Sequence, residues 1–211
     1  MTSTIRIKVC GLTEPAGARA AREAGADFLG IVFAPGSPRR LDLARAAELV
    51  ARVPAAWVGV FVDPDPAEVA RIAAVLELAA VQLHGGESPE RCREIRAAAG
   101  VEVWKALDPR AGGLERWAEA VDAVLLDSGA GGGRPLPWRD LAGGLERARP
   151  AVPLFLAGGL DATNVGRAMT LLAPDGVDAS SRLELSPGVK DPARVRAFVS
   201  AARAASAPAT P

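Results

Sequence analysis

The side chains best suited to chemistry in this 211-residue chain stand where apolar runs stop. Cys10 closes IRIKVC (5–10), His84, the single histidine, closes AAVQLH (79–84), and Asp127 closes DAVLLD (122–127). A thiolate and a carboxylic acid form an acid–base couple suited to a proton-shuttling isomerisation, one removing a proton and the other supplying one. A free thiol ionises near pH 8.5, roughly, and a nearby cation lowers that value. Lys8 shares the alternating face of Cys10 and is the candidate cation. Taken alone, Cys10 could equally be small core filling and Asp127 a loop cap. SPRR (37–40) supplies Arg39 and Arg40, whose planar forks suit a carboxylate or phosphate, and spacing does not choose between them. His84 reads as a wall residue of a site.

Two further stretches read as an anion end. LAGGLDATNV (156–165) carries Gly158 and Gly159, and GVDASSRLELSPG (176–188) carries Ser180 and Ser181. Glycines let a backbone approach a ligand closely, and serine hydroxyls add hydrogen bonds beside it. Thr163 is the candidate cap of the helix that follows. Asp178 would repel a phosphate, which casts it as a loop organiser or the partner of a lysine. No GxxxxGK[ST] motif is present, which argues against a nucleoside triphosphate.

The elements that must position these residues alternate strictly. Strand-like runs at 5–9, 28–33, 57–62, 79–83, 101–107, 122–127, 152–159 and 176–181 are each followed by a helix-like run. Those helices are expected over 14–25, 41–53, 66–77, 88–100, 112–120, 137–148, 163–173 and 191–205. Eight βα units predict parallel strands closing into a single-domain (β/α)8 barrel over residues 1–205, with a disordered tail at 206–211. In such a barrel the chemistry sits at the C-terminal ends of the strands, where Cys10, His84, Asp127, Gly158, Gly159 and Asp178 fall. The open doubly wound sheet is the competing architecture.

Twenty-five basic and twenty-five acidic side chains balance, so no global field favours nucleic acid or an anionic membrane. Cys10 and Cys92 are far apart, and no Cys/His cluster has metal-ligand spacing. No signal-like segment opens the chain and no apolar stretch reaches spanning length. The expectation is a cytoplasmic protein, monomer or homodimer, with no cofactor or metal and a small phosphorylated molecule as its partner.

KVCGLT (8–13), GADFLGIVFAPGSPR (25–39), VGVFV (58–62), VQLHG (81–85), LLDS (125–128), LAGGLDATNV (156–165) and GVDASS…PGVKD (176–191) resemble, in order and spacing, the motifs of the phosphoribosylanthranilate isomerase family. The resemblance implies a small cofactor-independent (β/α)8 barrel that performs an Amadori rearrangement in tryptophan biosynthesis. It assigns the general base to Cys10, the general acid to Asp127, the anthranilate carboxylate to Arg39 and the phosphate to Gly158, Gly159, Ser180 and Ser181. Two departures stand out. Arg182 occupies a position the family gives to glycine, and is expected to point to solvent while backbone N–H groups hold the phosphate. The segment SGAGGGRPLPW (128–138) is shorter than its family counterpart. Other sugar-phosphate barrels, or a phospholigand-binding barrel without catalysis, are the competing functions.

Overall fold

The computed structural model describes residues 5–127 and 149–206, together with Trp138, Leu141, Gly143 and Leu145. Eight strands, β1 (Arg6–Val9), β2 (Phe28–Val32), β3 (Trp57–Phe61), β4 (Ala80–Leu83), β5 (Glu102–Leu107), β6 (Ala123–Leu126), β7 (Leu154–Leu156) and β8 (Gly176–Ala179), form one closed parallel barrel in chain order. Closure is made by β8 on β1, with Lys8 opposite Asp178 and Val9 opposite Ala179. The described helices are α1 (Pro15–Ala24), α2 (Leu43–Arg52), α3 (Pro66–Leu76), α4 (Pro89–Ala99), α5 (Val165–Leu172) and α6 (Pro192–Ser206). The (β/α)8 expectation therefore holds, and the open sheet is excluded.

Local chemistry explains where the helices begin. Asp42, Asp65 and Ser88 cap α2, α3 and α4, each accepting a hydrogen bond from a first-turn backbone N–H. Pro15, Pro66 and Pro89 sit in the first turn, where a missing N–H costs nothing.

The period of two along each strand divides the core. Outward residues such as Ile7, Val9, Leu29 and Ile31 pack under the helices. Inward residues at the strand starts form an aromatic plug of Phe28, Trp104 and Phe155. Trp104 stacks on Phe155 at 4.7 Å and meets Phe28 edge-on at 4.9 Å. The same parity turns Lys8, Cys10, Gln82, His84, Asp127, Asp178 and Ser180 inward, toward or beyond the strand exits.

Three expectations need correction or restriction. No α-helix spans 112–120; short 3-10 turns at Pro109–Ala111 and Leu114–Trp117 replace it. Gly112 and Gly113 have φ of 66° and 65°, a left-handed pair that a right-handed helix cannot contain. The helix expected at 137–148 lies mostly outside the described residues, although Trp138, Leu141, Gly143 and Leu145 are helical. Ser206, placed in the expected tail, closes α6, and 207–211 lie outside the described residues. A small antiparallel hairpin, β9 (Glu184–Ser186) with β10 (Val189–Lys190), was not expected from the sequence.

The barrel plug yields a direct test. A Cβ on Gly176 would come within 2.3 Å of the Phe155 ring, which Trp104 already backs. Gly176→Ala should destabilise by about 1–3 kcal/mol, read as a thermal midpoint lower by roughly 2–12 °C for a chain of this length. An unchanged midpoint would mean that the plug has slack.

Candidate active site

A cavity of about 650 Å³ opens at the C-terminal ends of the strands. Cys10, Arg39, His84, Asp127, Gly158, Gly159, Asp178, Ser180 and Ser181 all line it, so the structure brings these sequence candidates together. Arg40 does not line it. Lys8 lies beneath the cavity floor, fully buried.

The thiol sits over a buried ion pair. Lys8 Nζ is 3.1 Å from Asp178 Oδ2, the lysine partnership foreseen for Asp178. Gly30 of β2 makes room for the sulfur, since a Cβ there would lie 2.7 Å from Cys10 Sγ. Burial pushes the Cys10 thiol above its ordinary range; Lys8 pulls it down, and Asp178 pushes it back up. Lys8 is thus the lowering influence expected of it. The cation is present and acts in that direction, but the loss of water outweighs it. Burial also raises the Asp178 carboxyl despite Lys8. For Lys8 itself burial acts downward, yet Asp178 and Cys10 together lift it above the usual lysine range.

Across the cavity, Asp127 follows β6. His84 Nε2 lies 3.7 Å from Asp127 Oδ2, and His84 Nδ1 lies 3.1 Å from the amide nitrogen of Gln82. Burial holds His84 below its ordinary pKa, although the Asp127 carboxylate opposes this. The ring is therefore neutral at pH 7.

Arg39 is held by a residue the sequence reading missed. Its Nε and Nη2 donate to Glu184 Oε1 and Oε2 at 2.8 and 2.7 Å. Lys190 Nζ donates to the same Oε1 at 2.6 Å and to the Ser180 carbonyl at 3.2 Å. One buried carboxylate thus ties two cations to the loop after β8. Burial alone would raise Glu184, but Arg39 and Lys190 hold it below the usual carboxylate range. The Nε–Nη2 edge of Arg39 is occupied by Glu184, so a ligand carboxylate must meet its other edge.

The opposite loop is built around left-handed glycines. Gly158 and Gly159 have φ of 82° and 68°, a conformation that costs a residue with a side chain about 1–2 kcal/mol. Asn164 Nδ2 donates to the Gly159 carbonyl at 2.8 Å, and Asn164 Oδ1 accepts from the Asp161 N–H at 2.9 Å. Thr163 does not cap α5; its hydroxyl and N–H both donate to Asp161 Oδ1. Arg182 is neither in the cavity floor nor extended into solvent. It stands on the rim, about half exposed, with Nη1 3.5 Å from Asp161 Oδ2. The short segment 128–138 lies outside the described residues apart from Trp138. Among the described residues no three His, Cys, Asp or Glu side chains are grouped to hold a metal ion. None of the described helices is long and apolar enough to cross a membrane.

Fold and site together define a (β/α)8 barrel whose mouth joins a thiol, a carboxyl group and the loops that carry Gly158, Gly159, Ser180 and Ser181. The family model described as N-(5'phosphoribosyl)anthranilate (PRA) isomerase matches residues 7–201. A relative from Rhodospirillum rubrum, N-(5'-phosphoribosyl)anthranilate isomerase, is 44% identical over 221 residues, covering 96% of this chain and 99% of its own. TrpF from Jonesia denitrificans is 36% identical with a TM-score of 0.84, covering 96% of this chain and 98% of its own. A phosphoribosyl anthranilate isomerase crystallised with reduced 1-(o-carboxyphenylamino)-1-deoxyribulose 5-phosphate is 33% identical with a TM-score of 0.82, over 95% of this chain and 99% of its own. This chain belongs to the N-(5'-phosphoribosyl)anthranilate isomerase family.

The balance at Cys10 can be measured without substrate. Its alkylation rate, followed by peptide mass spectrometry, should keep rising with pH beyond the ~8.5 of a free thiol. Cys92, fully buried and pushed up to about 11, should lag behind it throughout. A Cys10 rate that levels off below pH 8 would mean that Lys8 outweighs burial.

Proposed function

We infer that this chain converts N-(5'-phosphoribosyl)anthranilate into 1-(2-carboxyphenylamino)-1-deoxyribulose 5-phosphate by an Amadori rearrangement, a step of tryptophan biosynthesis. The observation that carries the reading is the meeting of Cys10 and Asp127, just beyond β1 and β6, on one cavity that Gly158, Gly159, Ser180 and Ser181 also line. The phosphate binds at the backbone and hydroxyls of Gly158, Gly159, Ser180 and Ser181, and the anthranilate carboxylate faces Arg39. Holding both charged ends fixes the ribose between the two reactive groups, which removes the entropy cost of aligning them.

The chemistry then needs two proton transfers. The Asp127 carboxylic acid protonates the furanose ring oxygen; the C1–O bond breaks and the anilino nitrogen lone pair forms a C=N iminium. The Cys10 thiolate removes the proton from C2, and the C–H electrons run into the iminium to give an enolamine. Tautomerisation moves a proton from the enol oxygen to C1 and leaves the C2 ketone. Asp127 ends ionised and Cys10 ends protonated, so the two must exchange a proton with solvent before the next turnover. Lys8 and Lys190 both favour the thiolate, which burial otherwise disfavours. The base works as the thiolate and the acid in its protonated form, so kcat/KM follows the product of those two fractions across the pH range.

Acid and base catalysis contribute about 10²–10⁴-fold each. Cys10→Ala and Asp127→Asn should therefore each lower kcat by about that factor, with modest changes in KM. The assay is the loss of substrate fluorescence with purified protein. Wild-type turnover in Cys10→Ala would remove the thiol from the mechanism, and a fully active Asp127→Asn would do the same for the acid.

A further inference from the structure

One contact in the cavity wall is not explained by assigning the acid and the base. Gln82 precedes His84 by two positions along β4, so both side chains turn into the barrel. Gln82 is only 2% exposed, and its amide nitrogen lies 3.1 Å from His84 Nδ1. An amide NH₂ group only donates, so Nδ1 must accept. In a neutral imidazole the single proton then sits on Nε2, the nitrogen 3.7 Å from Asp127 Oδ2. The ring is neutral because burial, helped by Lys8 and Lys105, outweighs the carboxylates of Asp127 and Asp178.

We propose that Gln82 is a positioning residue that fixes the Nε2–H tautomer of His84, which then presents an N–H to the carboxylate formed when Asp127 gives up its proton. The inference rests on the assignment of Asp127 as general acid. A donor aimed at developing negative charge acts most strongly in the transition state, where the charge appears. At 3.7 Å the contact is roughly 0.7 Å longer than a good N–H···O bond. A small shift of either side chain converts it into one as the charge forms. The reversed amide could not serve the acid in this way. It would place the Gln82 oxygen against Nδ1, move the proton there and leave a bare Nε2 lone pair facing the carboxylate. Gln82 Oε1 has no hydrogen-bond partner among the described residues, so His84 is the group that decides which way the amide faces.

His84 is the only histidine in the chain, so its ring gives an unambiguous signal. Long-range ¹H–¹⁵N correlation spectra of the ¹⁵N-labelled wild-type protein at pH 7.5 should show the proton on Nε2; a proton on Nδ1 overturns the proposal. Gln82→Met keeps the length of the side chain and removes the donor. It should give a mixed tautomer and a kcat lower on the order of tenfold, with KM within about twofold of wild type. An unchanged kcat, or a loss confined to KM or to thermal stability, overturns the coupling to Asp127. The wild-type spectrum decides the tautomer even if Gln82→Met fails to fold. It also needs no turnover. A wild-type protein without isomerase activity would overturn the role of Asp127 and, with it, the catalytic use of the N–H. It would leave the tautomer itself readable, so the two failures are distinguishable.

Discussion

Closing β8 onto β1 sets Lys8 against Asp178 inside the barrel, and much of the site is arranged around that buried pair. Removing two charges from water is costly, and their attraction offsets the cost only when they are held together. Here the register of two neighbouring strands holds them. Two residues further along the same strands, parity delivers Cys10 and Ser180 to the cavity. The pair therefore acts twice: it keeps a polar barrel interior tolerable, and it places a cation and an anion beside the thiol. Losing either partner would leave an uncompensated charge next to Cys10.

Two other buried carboxylates do for the loops what Asp178 does for the floor. Glu184 joins Arg39, Lys190 and, through Lys190, the Ser180 carbonyl, so the loops after β2 and β8 are fixed to each other. Glu87 pairs with Lys105 at 2.6 Å on the outer face of β5 and accepts from the N–H groups of Asp63 and Gly85. That network anchors the loops after β3 and β4, directly beyond His84. A chain with balanced charge thus concentrates several of its ion pairs at the catalytic end. Rigid loops there are what a mechanism based on positioning needs.

The sequence was informative where the physics is local. Strand–helix alternation, proline and glycine boundaries, and reactive residues at strand exits all follow from neighbours in the chain. The cavity does gather Cys10, Arg39, His84, Asp127 and both candidate anion loops. Glu184 escaped notice because its partnership with Arg39 spans 145 residues, and nothing near SSRLE marks a carboxylate as a clamp. The net thiol balance at Cys10 was not legible for a related reason. Alternation reveals that Lys8 is near, whereas the amount of water removed from the sulfur appears only once β1, β2 and β8 are packed. At 112–120, where a helix was expected, Leu114 and Trp117 are both buried. The two glycines before them dictated turns in place of a helix.

The central claim is that one small molecule spans the cavity with its ribose between Cys10 and Asp127. A crystal structure of this protein with the reduced product analogue tests it most directly. The account predicts the phosphate on the Gly158–Gly159 and Ser180–Ser181 backbone and the carboxylate at Arg39. It also places Cys10 Sγ against C2 and the Asp127 carboxyl against the oxygen released from the ring. A reversed ligand, with its phosphate at Arg39 and its aromatic ring in the glycine loop, would contradict it.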